Sequence, residues 1–498
     1  MLYISTRGQG DMQPSAHVIK EGLAKDGGLF VPQRFPGIHV DDILALHSRS
    51  YQDCAAKILG YFLTDYSSQE LAACTAGAYA AAKFGPDPAP LVRINDKIDT
   101  LELWHGPTSA FKDMALQLLP RLLSKALLKT GEDTKSLILV ATSGDTGKAA
   151  LEGFADVPNT EIIVFYPSQG VSPMQKKQMT TQTGSNVHVY GIEGNFDDAQ
   201  KGVKEILNNQ ELNAQISDHG YTFSSANSIN WGRLVPQIVY YFKSYATAVA
   251  TGRVQPRQPV NFAVPTGNFG DILAGYYAKK MGLPVQKLIC ASNSNNVLTD
   301  FLATGIYDRR REFHKTMSPS MDILVSSNLE RLLFDVTGGD SERVAAWMQE
   351  LQTQGFYTVA KEYCSQIKDS FFGAWVDEVE TAETISRTFN DTHYVLDPHT
   401  AVAYRALEKY RLLTSDETYS IVLSTASPYK FSSSVLAALG KKVPAAADLF
   451  TAVRELEQLT SWKVPAGLSS LETKTEQHLD VIPSAKMGAA VLQSLDLL

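Results

Sequence analysis

The stretch Leu137-Ile-Leu-Val-Ala-Thr-Ser-Gly-Asp-Thr-Gly-Lys-Ala-Ala-Leu-Glu-Gly-Phe154 decides the fold. Its first five residues form a short apolar run, the length of a buried strand and too short for a buried helix. Thr142 to Gly147 is a run of hydroxyls and glycines that interrupts any regular element. From Lys148 the chain becomes helix-permissive again. Strand, glycine turn and helix make half of a β-α-β unit, and the pattern recurs along the middle of the chain. Residues 161–166 lead through Pro167-Ser-Gln-Gly170 into a helical stretch at 173–179, and residues 187–191 precede an amphipathic segment at 196–207. Residues 221–224 precede a long apolar-periodic stretch at 231–249. Residues 261–265 open onto Thr266-Gly-Asn-Phe-Gly270, a helix-like segment at 271–281 and a further strand at 287–291. Strands alternating with helices imply right-handed crossovers and a doubly wound, mostly parallel α/β architecture. Functional loops in such sheets gather at the carboxyl ends of the strands.

Outside this repeat the pattern changes. Residues 1–86 read as a small N-terminal domain, mainly helical at 40–60 and 67–82, joined to the body by Gly85-Pro-Asp-Pro-Ala-Pro90. The catalytic body is expected at 87–304 and 391–440. Between these parts, 305–390 reads as a helical insertion, with helices at 341–354 and 357–367 and no strand pattern. The sheet pattern resumes at 392–396 and 420–425, and 441–498 forms a C-terminal segment. With 498 residues the chain is too long for one core. A hydrophobic content of 44%, a charged content of 20% and a net charge of −8 describe an ordinary globular protein with no general attraction for nucleic acid or an acidic membrane. Any anionic ligand must then be held by a few local donors. The four cysteines form no CxxC pair and no metal-like spacing, so no metal site is expected. No apolar run reaches the roughly 18 residues of a membrane span, and no leader pattern opens the chain. The expectation is a cytoplasmic enzyme, monomer or homodimer, with a small-molecule substrate and neither nucleic acid nor membrane as partner.

Lys112 carries the most specific chemistry. It lies in Glu102-Leu-Trp-His-Gly-Pro-Thr-Ser-Ala-Phe-Lys-Asp113, where Gly106 and Pro107 break regular structure before an apolar helical periodicity begins at Phe111. That places Lys112 in the first turn of a helix expected to bend at Pro120. The positive end of the helix dipole disfavours a cation there. A desolvated amine with a lowered pKa suits a nucleophilic or Schiff-base lysine, although a surface lysine in a first turn looks the same in sequence.

Four further segments offer donors, each with a plain structural alternative. Thr142-Ser-Gly-Asp-Thr-Gly147 suits a carboxylate or phosphate, or serves as a helix N-cap. Pro265-Thr-Gly-Asn-Phe-Gly-Asp271 lets the backbone approach a phosphate through Gly267 and Gly270, with Thr266 and Asn268 as side-chain donors and Asp271 expected to cap the helix. It lacks both the Gly-Lys-Ser/Thr element of a P-loop and the GxGxxG spacing. Ser424-Thr-Ala-Ser-Pro-Tyr-Lys-Phe431 ends a strand with hydroxyls able to face a heterocyclic nitrogen. Ala226-Asn-Ser-Ile-Asn-Trp-Gly-Arg233 gathers amides, a hydroxyl and a guanidinium suited to bidentate binding of an oxyanion.

In this order the segments resemble the threonine synthases, pyridoxal-phosphate enzymes of the tryptophan-synthase β-like fold (fold type II). The resemblance extends to Tyr3-Ile-Ser-Thr-Arg-Gly8 and Gly22-Leu-Ala-Lys-Asp-Gly-Gly-Leu-Phe-Val-Pro32 and covers nearly the whole chain. It implies that Lys112 carries pyridoxal 5'-phosphate. Thr266, Gly267, Asn268, Phe269 and Gly270 would cradle the cofactor phosphate, and Thr425 would face the pyridine nitrogen. The loop with Ser143, Asp145 and Thr146 would hold the substrate carboxylate, and Asn227, Ser228 and Arg233 the substrate phosphate. Two positions depart from the pattern: Asp145 stands where the wider fold often has asparagine, and would be repelled by the cofactor's phenolic oxygen; Ser427 stands where histidine is expected. The implied reaction is that of a carbon–oxygen lyase. It turns O-phospho-L-homoserine and water into L-threonine and phosphate by γ-elimination and β-addition, the last step of threonine biosynthesis. The alternatives are a phosphohomoserine lyase giving 2-oxobutyrate, a serine/threonine dehydratase, and a non-catalytic paralogue that binds the cofactor or a phosphorylated metabolite.

Overall fold

A computed structural model describes residues 1–131, 133–142, 144–169, 171–441 and 449–497, and of Asp197 the main chain only. Near the N-terminus β1 (Leu2–Ser5), β2 (Gln13–Pro14) and β3 (Phe30–Pro32) pair antiparallel in the order β2-β1-β3. The mainly helical reading of this region omits that sheet, because strands so short show no period of two. The single helical segment expected at 40–60 is two helices, Val40–Leu44 and Tyr51–Gly60. Ser50 opens the second by accepting from the Asp53 N–H.

The body contains β4 (Leu91–Arg93), β5 (Ile98–Glu102), β6 (Lys135–Ala141), β7 (Thr160–Pro167), β8 (Val187–Glu193), β9 (Tyr221–Ser224), β10 (Val260–Pro265), β11 (Val285–Ser292), β12 (Ile306–Asp308), β13 (Phe356–Thr358), β14 (Phe371–Trp375), β15 (Ser420–Ser424) and β16 (Val481–Pro483). Two sheets organise them. One runs β14-β11-β10-β15-β5-β4, parallel except for β4; the other runs β16-β8-β7-β6-β9 and is parallel throughout. The central strands β6, β7, β10 and β15 are buried along nearly their whole length, as the continuous apolar runs in the sequence require of parallel strands covered on both faces. The Leu119–Lys129 helix shows how it is held: Leu119, Leu122, Leu123 and Leu127 are buried while Leu128 stays 64% exposed. Each fully buried leucine contributes about 1.5–3 kcal/mol, so the stripe sets the helix's orientation. Pro120 lies at the start of this helix, where its missing N–H is harmless, so the expected bend is a break after the short helix Asp113–Leu116.

Two expectations are corrected. The segment 392–396 is not a strand: Thr392 ends the helix Glu378–Thr392, His393 takes a left-handed φ of 58°, and Asp397 caps the helix Pro398–Thr414. Its consecutive apolar residues Tyr394, Val395 and Leu396 are buried as a loop, with the Tyr394 hydroxyl donating to Glu102 at 2.8 Å. Nor is 305–390 free of strands. β12 and β13 pair antiparallel, and β14 is the edge of the six-stranded sheet, parallel to β11. The sequence hides β14 because the helix Lys361–Ser370 runs into Phe371 with no turn residue between them. The helix expected at 357–367 accordingly begins at Lys361, and the long stretch at 231–249 divides around Pro236 into Trp231–Leu234 and Gln237–Ala250. Loops after β5, β6, β9, β10 and β15 leave the carboxyl ends of both sheets, and the nominated residues among those described lie in these loops or in the first turns of the helices that follow them.

Candidate active site

The loop that carries Lys112 is fastened to its neighbour strand. Leu103 N–H donates to the Ser424 carbonyl at 2.9 Å, Phe111 N–H to the Thr425 carbonyl at 2.8 Å, and Ser427 N–H to the Ser109 carbonyl at 3.1 Å. Within the loop, buried Asp113 accepts from both the N–H and the hydroxyl of Thr108 at 2.8 Å. Burial pushes the Asp113 carboxyl up to about 6, against the pull of those bonds. Lys112 immediately precedes the helix Asp113–Leu116, and its side chain is 11% exposed. Its Nζ lies 3.3 Å from the Ser320 hydroxyl and 3.9 Å from Asp145 Oδ2. Burial pushes this amine down to about 8; Asp145 opposes the fall, while Lys430 and Arg233 add to it.

The loop 266–270 follows β10 and opens the helix Gly270–Lys280. Phe269, the residue before the helix, has φ 63°, a left-handed conformation uncommon outside glycine, and its ring packs on Phe371 at 5.5 Å. Among the described residues, the N–H groups of Gly267, Asn268, Phe269 and Gly270 donate to no protein acceptor. Four free amides at a helix N-terminus form an anion cradle. Gly267 is required by close approach: a Cβ there would sit 2.8 Å from the Ser320 carbonyl oxygen. The Thr266 hydroxyl turns back to the Val264 carbonyl at 2.7 Å and Asn268 is exposed, so the donors facing the cradle are main-chain groups. Asp271 does not cap the helix. The hydroxyls of Tyr240 and Tyr241 donate to its Oδ1 at 2.6 and 2.9 Å, drawing the carboxylate back against the Gln237–Ala250 helix. Burial pushes this carboxyl up to about 6.

Asp145 opens the helix Asp145–Phe154 and is buried among donors. Lys430 Nζ lies 2.6 Å from its Oδ1, Gln175 Nε2 donates to the same oxygen at 3.0 Å, and the Ser320 hydroxyl donates to Oδ2 at 3.3 Å. Burial raises this carboxyl's pKa, but Lys430 and Lys112 outweigh it and hold the group well below the usual carboxylate range. Gly144 has φ 142° and no room for a Cβ beside Gln175. The Thr142 hydroxyl accepts from Gly144 and Gly147 N–H groups at 3.0 and 2.9 Å, so part of this loop is the cap that the plain alternative anticipates. Ser143 lies outside the described residues. Thr146 is half-buried.

Arg233 is 4% exposed. One Nη donates to the Ala226 carbonyl at 2.5 Å, and its Nε, buried, meets no protein acceptor. Among the described residues no carboxylate pairs with it, and burial pushes the guanidinium down to about 10. An unpaired buried cation needs an anion. Ser228 Oγ lies 3.4 Å from Ser327 Oγ, and the adjacent Ser326 hydroxyl donates to the Gly267 carbonyl at 2.7 Å, which joins this segment to the cradle. Asn227 is exposed, and its N–H donates to Ser225.

Four participants are absent from the sequence reading. Lys430 and Gln175 hold Asp145. Ser320 comes from the 305–390 region, where no motif marks it. The Ser320 N–H donates to His399 Nε2 at 3.1 Å, and His399 Nδ1 lies 2.8 Å from Asp397, so this buried pair orients the loop. Only Lys430 left a signal, a lysine inside an otherwise small and apolar strand end. Ser427 instead caps the turn Pro428–Phe431 by accepting from Tyr429 N–H.

A buried amine of lowered pKa, free amides at a helix start and a second buried cation at the carboxyl ends of parallel strands are the features that a pyridoxal-phosphate-dependent enzyme needs, and the family described as "Pyridoxal-phosphate dependent enzyme" matches residues 88–360. Residues 2–79 match "Threonine synthase N terminus" and residues 400–490 match "Threonine synthase, C-terminal". Threonine synthase of Pseudomonas aeruginosa is 39% identical over 96% of this chain and 98% of its own. That of Schizosaccharomyces pombe is 38% identical over 88% and 89%. The PLP-bound threonine synthase of Brucella melitensis superposes with a TM-score of 0.88 at 38% identity, covering 99% of each chain. The chain belongs to the threonine synthase family. Pyridoxal phosphate is its cofactor, and the four free amides of 267–270 fit the cofactor's phosphate.

Proposed function

We propose that this enzyme converts O-phospho-L-homoserine and water into L-threonine and phosphate, as a carbon–oxygen lyase. The observation that carries the reading is Arg233, a buried guanidinium with no carboxylate partner among the described residues, near enough to Lys112 to help lower its amine. It calls for a substrate with an anion beyond the amino-acid carboxylate. Bound at Lys112 and the 266–270 cradle, pyridoxal phosphate supplies an electron sink for the charge released at the substrate Cα. Lys112, freed when substrate binds, takes the Cα proton and returns it later. An amine near 8 is suited to both directions at neutral pH. Arg233, with Asn227 and Ser228, holds the γ-phosphate as it departs, and the 143–146 loop orients the carboxylate. The Ser320 loop, packed over Gly267, limits water at the reacting carbons. Binding the distant phosphate supplies orientation that a phosphate-free substrate lacks.

The test is product analysis of the cofactor-loaded protein given O-phospho-L-homoserine. Threonine and phosphate in equal amounts are expected; 2-oxobutyrate with phosphate would transfer the assignment to the lyase reading, and no turnover to the binding paralogue. We further propose a reducing, cytoplasmic setting, supported by four free thiols, three of them buried, and by the absence among the described residues of a helix long and apolar enough to cross a membrane.

A further inference from the structure

We propose that Lys430 is a positioning residue of the active site, whose ammonium group neutralises Asp145 so that the two act as one neutral hydrogen-bonding unit beside Lys112. This rests on the reading that Lys112 and the 266–270 loop hold the cofactor.

The geometry is specific. The Lys430 side chain is 0% exposed and that of Asp145 is 3% exposed, at 2.6 Å. Removing either partner would strand a charge in a dry interior. Every further contact holds the pair in one orientation. Lys430 Nζ donates to the Thr108 carbonyl at 3.1 Å, on the loop that carries Lys112, and Gln178 donates to the same carbonyl at 3.3 Å. Gln175 fixes Asp145 from the other side at 3.0 Å. Lys112 itself stays 3.9 Å from Asp145, beyond hydrogen-bond distance, so its amine is not tied up as the partner of that carboxylate. Were the cofactor's phenolic oxygen to lie beside Asp145, the aspartate would be no obstacle, because its charge is already matched. The charged groups that face Lys112 are Asp145, Lys430, Arg233, Asp113 and Asp271. Of these only Lys430 makes a direct ion pair with Asp145 shorter than that of Lys112.

The test is a double-mutant cycle with Asp145→Asn, Lys430→Met and the double variant, Asn being the neutral isostere of Asp. Pyridoxal phosphate affinity is measured by titration, the Lys112 amine by the pH midpoint of its reaction with added pyridoxal phosphate, and the apoprotein by thermal unfolding. Each single variant is expected to bind pyridoxal phosphate about tenfold more weakly and to unfold earlier. Lys430→Met moves the Lys112 midpoint up, since a cation is lost and an anion exposed; Asp145→Asn moves it down. The double variant is expected to recover affinity to within about threefold and to return the midpoint to the parent value. Additive losses, an unmoved midpoint in Lys430→Met, or a double variant that folds no better than the singles overturns the proposal. Lys112→Ala is the control: if it keeps the covalently bound cofactor, the site reading itself fails, whereas its loss beside an additive cycle removes only the role of Lys430.

Discussion

A lysine amine at the start of a helix gains nothing from the adjacent backbone dipole, and at Lys112 burial deepens that deficit. The net result is an amine near 8. Because the uncharged form is the nucleophile, the rate at which the apoprotein takes up pyridoxal phosphate is expected to rise through this range and level off above it. A rate flat from pH 6 to pH 9 contradicts the assignment. Borohydride reduction followed by peptide mapping should place the label on Lys112, and Lys112→Ala should carry none. Arg233 acts on the other ligand. Its contact with a phosphate is a charged hydrogen bond worth about 1.5–3 kcal/mol, so Arg233→Ala should lower kcat/KM for phosphohomoserine by roughly tenfold to a hundredfold. Pyridoxal phosphate affinity should hardly change; an equal loss of both would point to a role in folding.

Among the elements, the turn between β10 and the Gly270–Lys280 helix is the most constrained. The left-handed Phe269 and the tight Gly267 let four amides converge, and Ser320 closes over them. Gly267→Ala would place a Cβ 2.8 Å from the Ser320 carbonyl oxygen. Pyridoxal phosphate affinity should fall by about tenfold, while apoprotein stability changes little, since alanine also reduces unfolded-state entropy by about 0.4–1 kcal/mol. Titration with pyridoxal phosphate beside thermal unfolding separates the two effects; unaltered affinity would mean that the Ser320 loop yields freely. The sequence exposed the glycine spacing of this turn but not the loop above it.

For the whole molecule, the question is what ties the N-terminal sheet to the site. Arg7 makes paired 3.0 Å bonds to Glu330, and the Thr6 hydroxyl donates to the same carboxylate at 2.6 Å. Glu330 lies on the helix Leu329–Val336, and Asn328, just before it, donates to the Asn268 carbonyl at 3.1 Å from both N–H and side chain. Glu330→Ala is expected to lower stability by about 1–3 kcal/mol, less than for a fully buried pair because Arg7 is 29% exposed. Chemical denaturation measures it, and pyridoxal phosphate affinity should weaken in parallel. Saturating cofactor, at a hundred times its Kd, should stabilise the parent protein by about 2.7 kcal/mol.

The sequence by itself determined the alternation of strands and helices and the glycine turns after the strands, and it nominated Lys112 through the family resemblance. The elements and turns rest on local chemistry: chain periodicity and backbone conformations open to glycine. The partition into two sheets, the edge strand β14, the Ser320 loop and the Asp145–Lys430 pair were decided only by the tertiary structure. Residues 145 and 430 are far apart in sequence, and neither spacing nor propensity reports a contact made by the packing of one strand end against another. The aspartate that looked misplaced beside a phenolic oxygen is matched by a lysine that only the fold brings within 2.6 Å.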